Sequence, residues 1–133
     1  MENNIFIKVQ EAISDSCGIE KEEIKGHSSL FNDLNIDSID MVDILYTLES
    51  EYDIELKVSD INKEAIQELG DEPFEIDNII TEKGLQALKR KIPDIPKEGL
   101  QYGISVHEVI RMISVKMLCN MVEIKLLEKT EST

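Results

Sequence analysis

The residues with chemical potential in this 133-residue chain gather at Asp37-Ser38-Ile39-Asp40. There a loop gives way to an acidic amphipathic segment, and a hydroxyl stands at the expected helix start with carboxylates around it. No basic residue falls between Lys25 and Lys57. Taken alone, Asp37-Ser38 is an ordinary helix start, since both side chains can cap. Asp37, Asp40 and Asp43 look more like a solvated face than a general acid–base pair. The other reactive groups are dispersed. His27 and His107 have no nucleophile or metal spacing beside them and read as surface residues. Cys17 and Cys119 have no activating neighbour and read as small core-facing residues. There is no glycine-rich phosphate loop, no Gly-x-Ser-x-Gly elbow and no calcium-binding loop pattern. The sequence therefore predicts no catalytic residue, no metal site and no enzyme.

Composition narrows the partners. Net charge is −14 and 41% of residues are hydrophobic, with few aromatics and no Trp. Phosphate binding needs a basic face, so nucleic acid is excluded as a partner. Anionic membrane surfaces are disfavoured for the same reason. Basic patches on other proteins would be attracted, and less so at high salt. Two cysteines without metal spacing or a disulfide framework fit a reduced, cytoplasmic protein. The first residues lack a signal peptide's basic and apolar regions, and no stretch is apolar enough for a membrane span. A single domain and a monomer are expected.

The elements that must position Ser38 read as all-α. Residues 3–17 form a first helix, with Ile5, Val9, Ala12, Ile13 and Ser16 on one face and Phe6 beside it. Asn3 or Asn4 can cap its start, and Gly18 lies just past its end. The connection from Gly18 to Asp37 is long, with a short turn at Lys21–Ile24. Ile24, Leu30, Phe31, Leu34 and Ile36 should pin it to the core. Residues 38–52 form the second helix. Met41, Leu45, Leu48 and Tyr52 make its apolar stripe, widened by Ile39, Val42 and Tyr46. Asp37 is the expected N-cap, with Asp40 three residues on in an arrangement like a capping box.

Residues 53–58 read as an extended connection. Ser59 or Asp60 could cap a weak helix through about Leu69, and Gly70–Pro73 is a break. A short helix capped by Thr81 carries Lys89, Arg90 and Lys91 at its C-terminal end, where the dipole favours cations. Pro93 is expected to end it. Ser105 and Glu108 make a capping box, with Ile104 and Val109 as the staple. Ile-Ser-Val occurs at 104–106 and again at 113–115. The second Ser favours a fresh start, giving helices over 105–112 and 115–128, with a tail from Thr130. One unbroken helix is the alternative.

Residues 24–56 closely resemble the acyl carrier proteins. The carrying features are Phe31-Asn32-Asp33-Leu34, then Asp37-Ser38-Ile39-Asp40, then the apolar-acidic helix that follows. The resemblance extends to the first helix and to Ser114-Val115…Leu118, and covers about residues 3–58 and 104–128. It implies an acyl-carrier-like four-helix bundle and a covalent 4′-phosphopantetheine, supplied by coenzyme A, on Ser38. Ile39 stands where Leu or Met is more usual. Residues 59–103 depart from the pattern as a partly helical insertion, as in longer, specialised members.

By that resemblance the chain carries a fatty-acyl group as a thioester. It would work with a phosphopantetheinyl transferase and with acyl-ACP synthetase, ketosynthase and acyltransferase-type enzymes of fatty acid or specialised lipid biosynthesis. The expected docking surface is Asp37, Ile39, Asp40, Val42, Asp43, Tyr46, Glu49 and Glu51. A phosphodiester on Ser38 suits a helix N-terminus, where free amides and the dipole favour an anion. The core of Ile, Val, Leu and Met could part to admit an acyl chain. The alternatives are an aminoacyl, peptidyl or D-alanyl carrier, and an acidic helical adaptor with no prosthetic group.

Overall fold

The structure is a computed structural model that describes residues 2–92 and 94–131. Helix α1 (Glu2–Cys17) packs on both α2 (Ser38–Tyr52) and α6 (Val115–Glu131). Ile5, Val9, Ala12 and Ile13 of α1 are buried against Met41, Ile44, Leu45 and Leu48 of α2 and Val115, Leu118 and Val122 of α6. These positions recur at helical spacing, so each helix turns one apolar stripe inward. The loop between α1 and α2 is held as its composition predicts. Ile24, Leu30, Phe31 and Ile36 are buried, and Lys21–Glu23 forms a 3-10 turn.

Between α2 and α6 the chain builds a second layer. A 3-10 turn (Val58–Asn62) leads into α3 (Lys63–Leu69), a hairpin of β1 (Glu75–Ile76) and β2 (Ile79–Ile80), α4 (Glu82–Lys91) and α5 (Val106–Ile110). Helices α3 and α4 pack on each other. Leu85, Leu88, Ile95, Leu100 and Val109 bury into the same hydrophobic cluster as α1 and α2. The insertion therefore shares the bundle's core.

The two Ile-Ser-Val segments have the same structural role. Each begins a helix and each pairs its backbone with a distant segment. Leu30 donates to the Ile113 carbonyl and Val115 to that of Ser28, both at 3.0 Å. Ile80 donates to Ile104 at 3.0 Å, and Val106 to Asn78 at 2.8 Å. Ser105 accepts from the Glu108 amide while Glu108 accepts from the Ser105 amide, which is the expected capping box. Ser114 accepts from the Met117 amide. The region is thus two helices, and the single-helix alternative does not occur.

Several expectations need correction. Helix α1 begins at Glu2, so Asn3 and Asn4 lie inside its first turn instead of capping it. The 58–62 turn begins before Ser59. Asp60 steadies it by accepting from the Lys57 amide at 3.0 Å. Helix α5 stops at Ile110, and α6 runs on through Thr130, where a tail was expected. Pro93 and the last two residues lie outside the described residues.

The hairpin is unanticipated. Its turn is Asp77-Asn78, at φ 52° and 71°. Paired left-handed residues suit a two-residue hairpin, and Asn and Asp tolerate that conformation best after Gly. Thr81 caps α4 as expected by accepting from the Gly84 amide at 3.0 Å.

Candidate functional site

Ser38 is the first residue of α2, exposed at the surface. Asp37 precedes it in extended conformation and accepts from the Asp40 amide at 2.8 Å. Asp37 therefore does the capping. The Ser38 hydroxyl has no hydrogen bond among the described residues, and the first-turn amides beside it have no intrahelical acceptor. The loop that aims Ser38 is anchored by Ile36, whose side chain is buried and whose amide donates to Leu30 at 3.0 Å.

Helix α2 presents three kinds of surface around this hydroxyl. Its buried stripe holds Met41, Ile44, Leu45 and Leu48. Ile39, Val42 and Tyr46, expected both to widen the apolar band and to stand on the docking surface, lie outside the buried stripe and are 80%, 67% and 66% exposed. Spaced three and four residues apart, they form an apolar strip that nothing covers among the described residues. Towards α1 the helix is acidic. Asp43 accepts from the Ser16 hydroxyl at 2.6 Å, and Glu51 pairs with Lys8 at 3.0 Å. Glu49 accepts from the Leu56 amide at 2.8 Å and so holds the connection leaving the helix. Asp40 makes no side-chain hydrogen bond or ion pair among the described residues, so Asp37 caps α2 without the reciprocal half of the expected capping box.

Sequence reasoning missed the far side of Ser38. A groove of about 210 Å³ opens there, walled by Phe31, Met41, Val42, Val58 and Ile110, with Ser38, His107 and Arg111 completing it. His107 and Arg111 come from α5 and its C-cap, some 70 residues along the chain from Ser38. Their spacing of four puts both on one helix face. That spacing was visible in the sequence. Their approach to Ser38 depends on the backbone pairing that fixes each end of α5. A larger concavity of about 310 Å³, bounded by Ile61, Ile92, Met117, Met121 and Leu127 among others, does not include Ser38.

The thiols lie apart from this chemistry. Burial pushes the Cys119 thiol up to about 12. Burial also raises Cys17, and the charges of Asp40, Asp37 and Asp43 add to the effect. Neither is an activated nucleophile. Among the described residues no group of three or more His, Cys, Asp or Glu could hold a metal ion. No helix there is long and apolar enough to cross a membrane.

An exposed, uncommitted hydroxyl at a helix start, beside a mainly apolar groove bordered by the Arg111 guanidinium, fits a phosphate ester that continues into an extended arm. Residues 8–72 match the phosphopantetheine attachment site family. The acyl carrier protein of Clostridium acetobutylicum is 42% identical over 67 residues, which are 50% of this chain and 84% of that protein. The acyl carrier protein of Thermotoga maritima is 37% identical over 67 residues, 50% of this chain and 80% of that protein. The family match contains Ser38 and all of α2 and continues through α3. It ends before the hairpin, so α4, α5 and α6 lie beyond it.

Proposed function

The chain belongs to the acyl carrier protein family, and from that premise we propose that Ser38 is the residue bearing its 4′-phosphopantetheine. Such proteins are carriers and not enzymes. When bound, the group supplies a terminal thiol on which an acyl chain is held as a thioester. The observation that supports Ser38 is its free, exposed hydroxyl at the first turn of α2, with capping left to Asp37. First-turn amides and the helix dipole favour the phosphodiester there.

The proposed cargo is a fatty-acyl group. The groove beside Ser38 has mainly apolar walls, which suit a hydrocarbon chain better than the charged amine of an aminoacyl cargo. The proposed partners are a phosphopantetheinyl transferase, then acyl-ACP synthetase, ketosynthase and acyltransferase-type enzymes, met by a monomer in the cytoplasm. Their docking surface is the start and outer face of α2. Ile39, Val42 and Tyr46 offer apolar contact, and Asp37, Asp40 and Asp43 offer charge to Lys and Arg. Glu49 and Glu51, already engaged within the chain, contribute less.

Intact mass spectrometry of the protein from its native cell tests this reading. A fatty-acyl mass on a phosphopantetheine arm is expected. An aminoacyl mass would transfer the protein to the other carrier class, and an unmodified chain would refute the assignment.

A further inference from the structure

Attaching a phosphodiester to Ser38 adds an anion to a crowded acidic surface. Asp37 and Asp40 flank the serine in a chain of net charge −14. The dipole of α2 offsets part of the repulsion. A fixed cation would offset more, and the fold supplies one from a remote segment.

Arg111 borders the same groove as Ser38. Its guanidinium lies over the Phe31 ring, 5.1 Å from the centroid. Phe31 is buried, so the stack is braced on the core. Although acidic residues outnumber basic ones 28 to 14, none of the ion pairs among the described residues uses Arg111. Stacking on an aromatic face leaves the edge of a guanidinium, with its N–H donors, open to an oxyanion. The Arg111 backbone is held as well, because its amide donates to the His107 carbonyl at 3.1 Å. His107 borders the groove one turn earlier.

We propose that Arg111 is a positioning residue for the prosthetic group: braced on Phe31, it holds the phosphodiester at Ser38 and sets the direction in which the arm leaves. Arg111 lies outside the family-matched span of residues 8–72. The half of the chain beyond that match therefore acts on the arm as well as on the core. The inference rests on Ser38 being the attachment residue.

The test compares the full-length apo protein with the same protein modified by coenzyme A and a promiscuous phosphopantetheinyl transferase. Intact mass first establishes the modification. Nitrogen-15 NMR then follows the Arg111 Nε–H, and phosphorus-31 NMR follows the phosphodiester. The expected result is that the Arg111 Nε–H resonance shifts and its solvent exchange slows on modification. The phosphorus resonance should move in Arg111→Gln and return part of the way in Arg111→Lys. An Nε–H signal identical in apo and modified protein would overturn the proposal while leaving the attachment at Ser38 standing. No mass gain would overturn both. The apo–modified comparison needs no variant, so a misfolded Arg111→Gln would not leave the question open.

Discussion

Arg111 lies with its guanidinium 5.1 Å from the centre of the Phe31 ring, joining the cap of α5 to the loop that presents Ser38. The contact links residues 80 positions apart and gives Phe31 two jobs. It fills the core, and it carries a cation to the mouth of the groove. Phe31→Leu should lower stability by about 1–2 kcal/mol, from lost packing and the lost cation–π contact. Urea unfolding checks this. A variant as stable as wild type would show that the stack contributes nothing to the fold.

Asp40 is the cleanest test of the docking face, because Asp37 caps the helix and Asp43 holds Ser16. Asp40→Lys should slow modification by a phosphopantetheinyl transferase severalfold at low salt, with the difference shrinking as salt rises. The fold should lose at most about 1 kcal/mol, from placing a cation in the first turn. Equal rates at low salt would remove Asp40 from the partner surface.

Gly84 sits in the first turn of α4, where propensity alone favours Ala by about 1 kcal/mol. The structure reverses that expectation. A Cβ at Gly84 would come within 2.5 Å of the Phe74 carbonyl oxygen and 2.9 Å of Ile80 Cγ2. Gly84→Ala should therefore destabilise by about 1–3 kcal/mol, through overpacking against backbone that Thr81 also pins. A rise in melting temperature would contradict the close approach of α4 to the hairpin.

Ser105 and Ser114 begin their helices in matched ways, so Ser105→Ala and Ser114→Ala should each cost about 1 kcal/mol. Hydrogen exchange would separate them. Loss of the Ser114 cap should loosen α6 and the 28–30 loop paired to it. Loss of the Ser105 cap should loosen α5 and β2.

The chain's own thiols should not compete with the arm. Cys119 is raised from 9.0 to about 12 by burial, so it ionises less readily in the folded state. Its effect on stability is nil below about pH 9, and folding weakens as pH rises through 9 towards 12. At pH 8, alkylation of Cys119 should be roughly a thousandfold slower in the native protein than in urea, following the thiolate fraction. Rapid native alkylation would mean that the α1–α6 region opens readily.

The parts of the fold that were legible in the sequence were those with local causes. The stripe Ile5-Val9-Ala12-Ile13, the Asp37 cap and the Ser105–Glu108 box each rest on residues a turn apart, and each is present as read. Ile39, Val42 and Tyr46 were legible as apolar residues flanking the stripe and as docking residues, and their exposure leaves them available for the second role. Hydrophobicity marks a broad face of α2, but only the packing of α1 shows which part of it is buried. The Asp77-Asn78 turn carried a hairpin signal that four short strand residues did not make prominent. Arg111 and His107 could not be connected to Ser38 from spacing, because two long-range backbone pairings bring α5 to that position.

Attachment of the prosthetic group to Ser38 underlies every partner and cargo proposed above. Its most direct test is intact mass after incubation of wild type and Ser38→Ala with coenzyme A and a promiscuous phosphopantetheinyl transferase. Asp37 keeps its capping bond without the serine hydroxyl, so the variant should fold, which circular dichroism would verify. The expected result is the phosphopantetheine mass on wild type and none on Ser38→Ala. The same gain on a folded Ser38→Ala, or no gain on wild type, would contradict it.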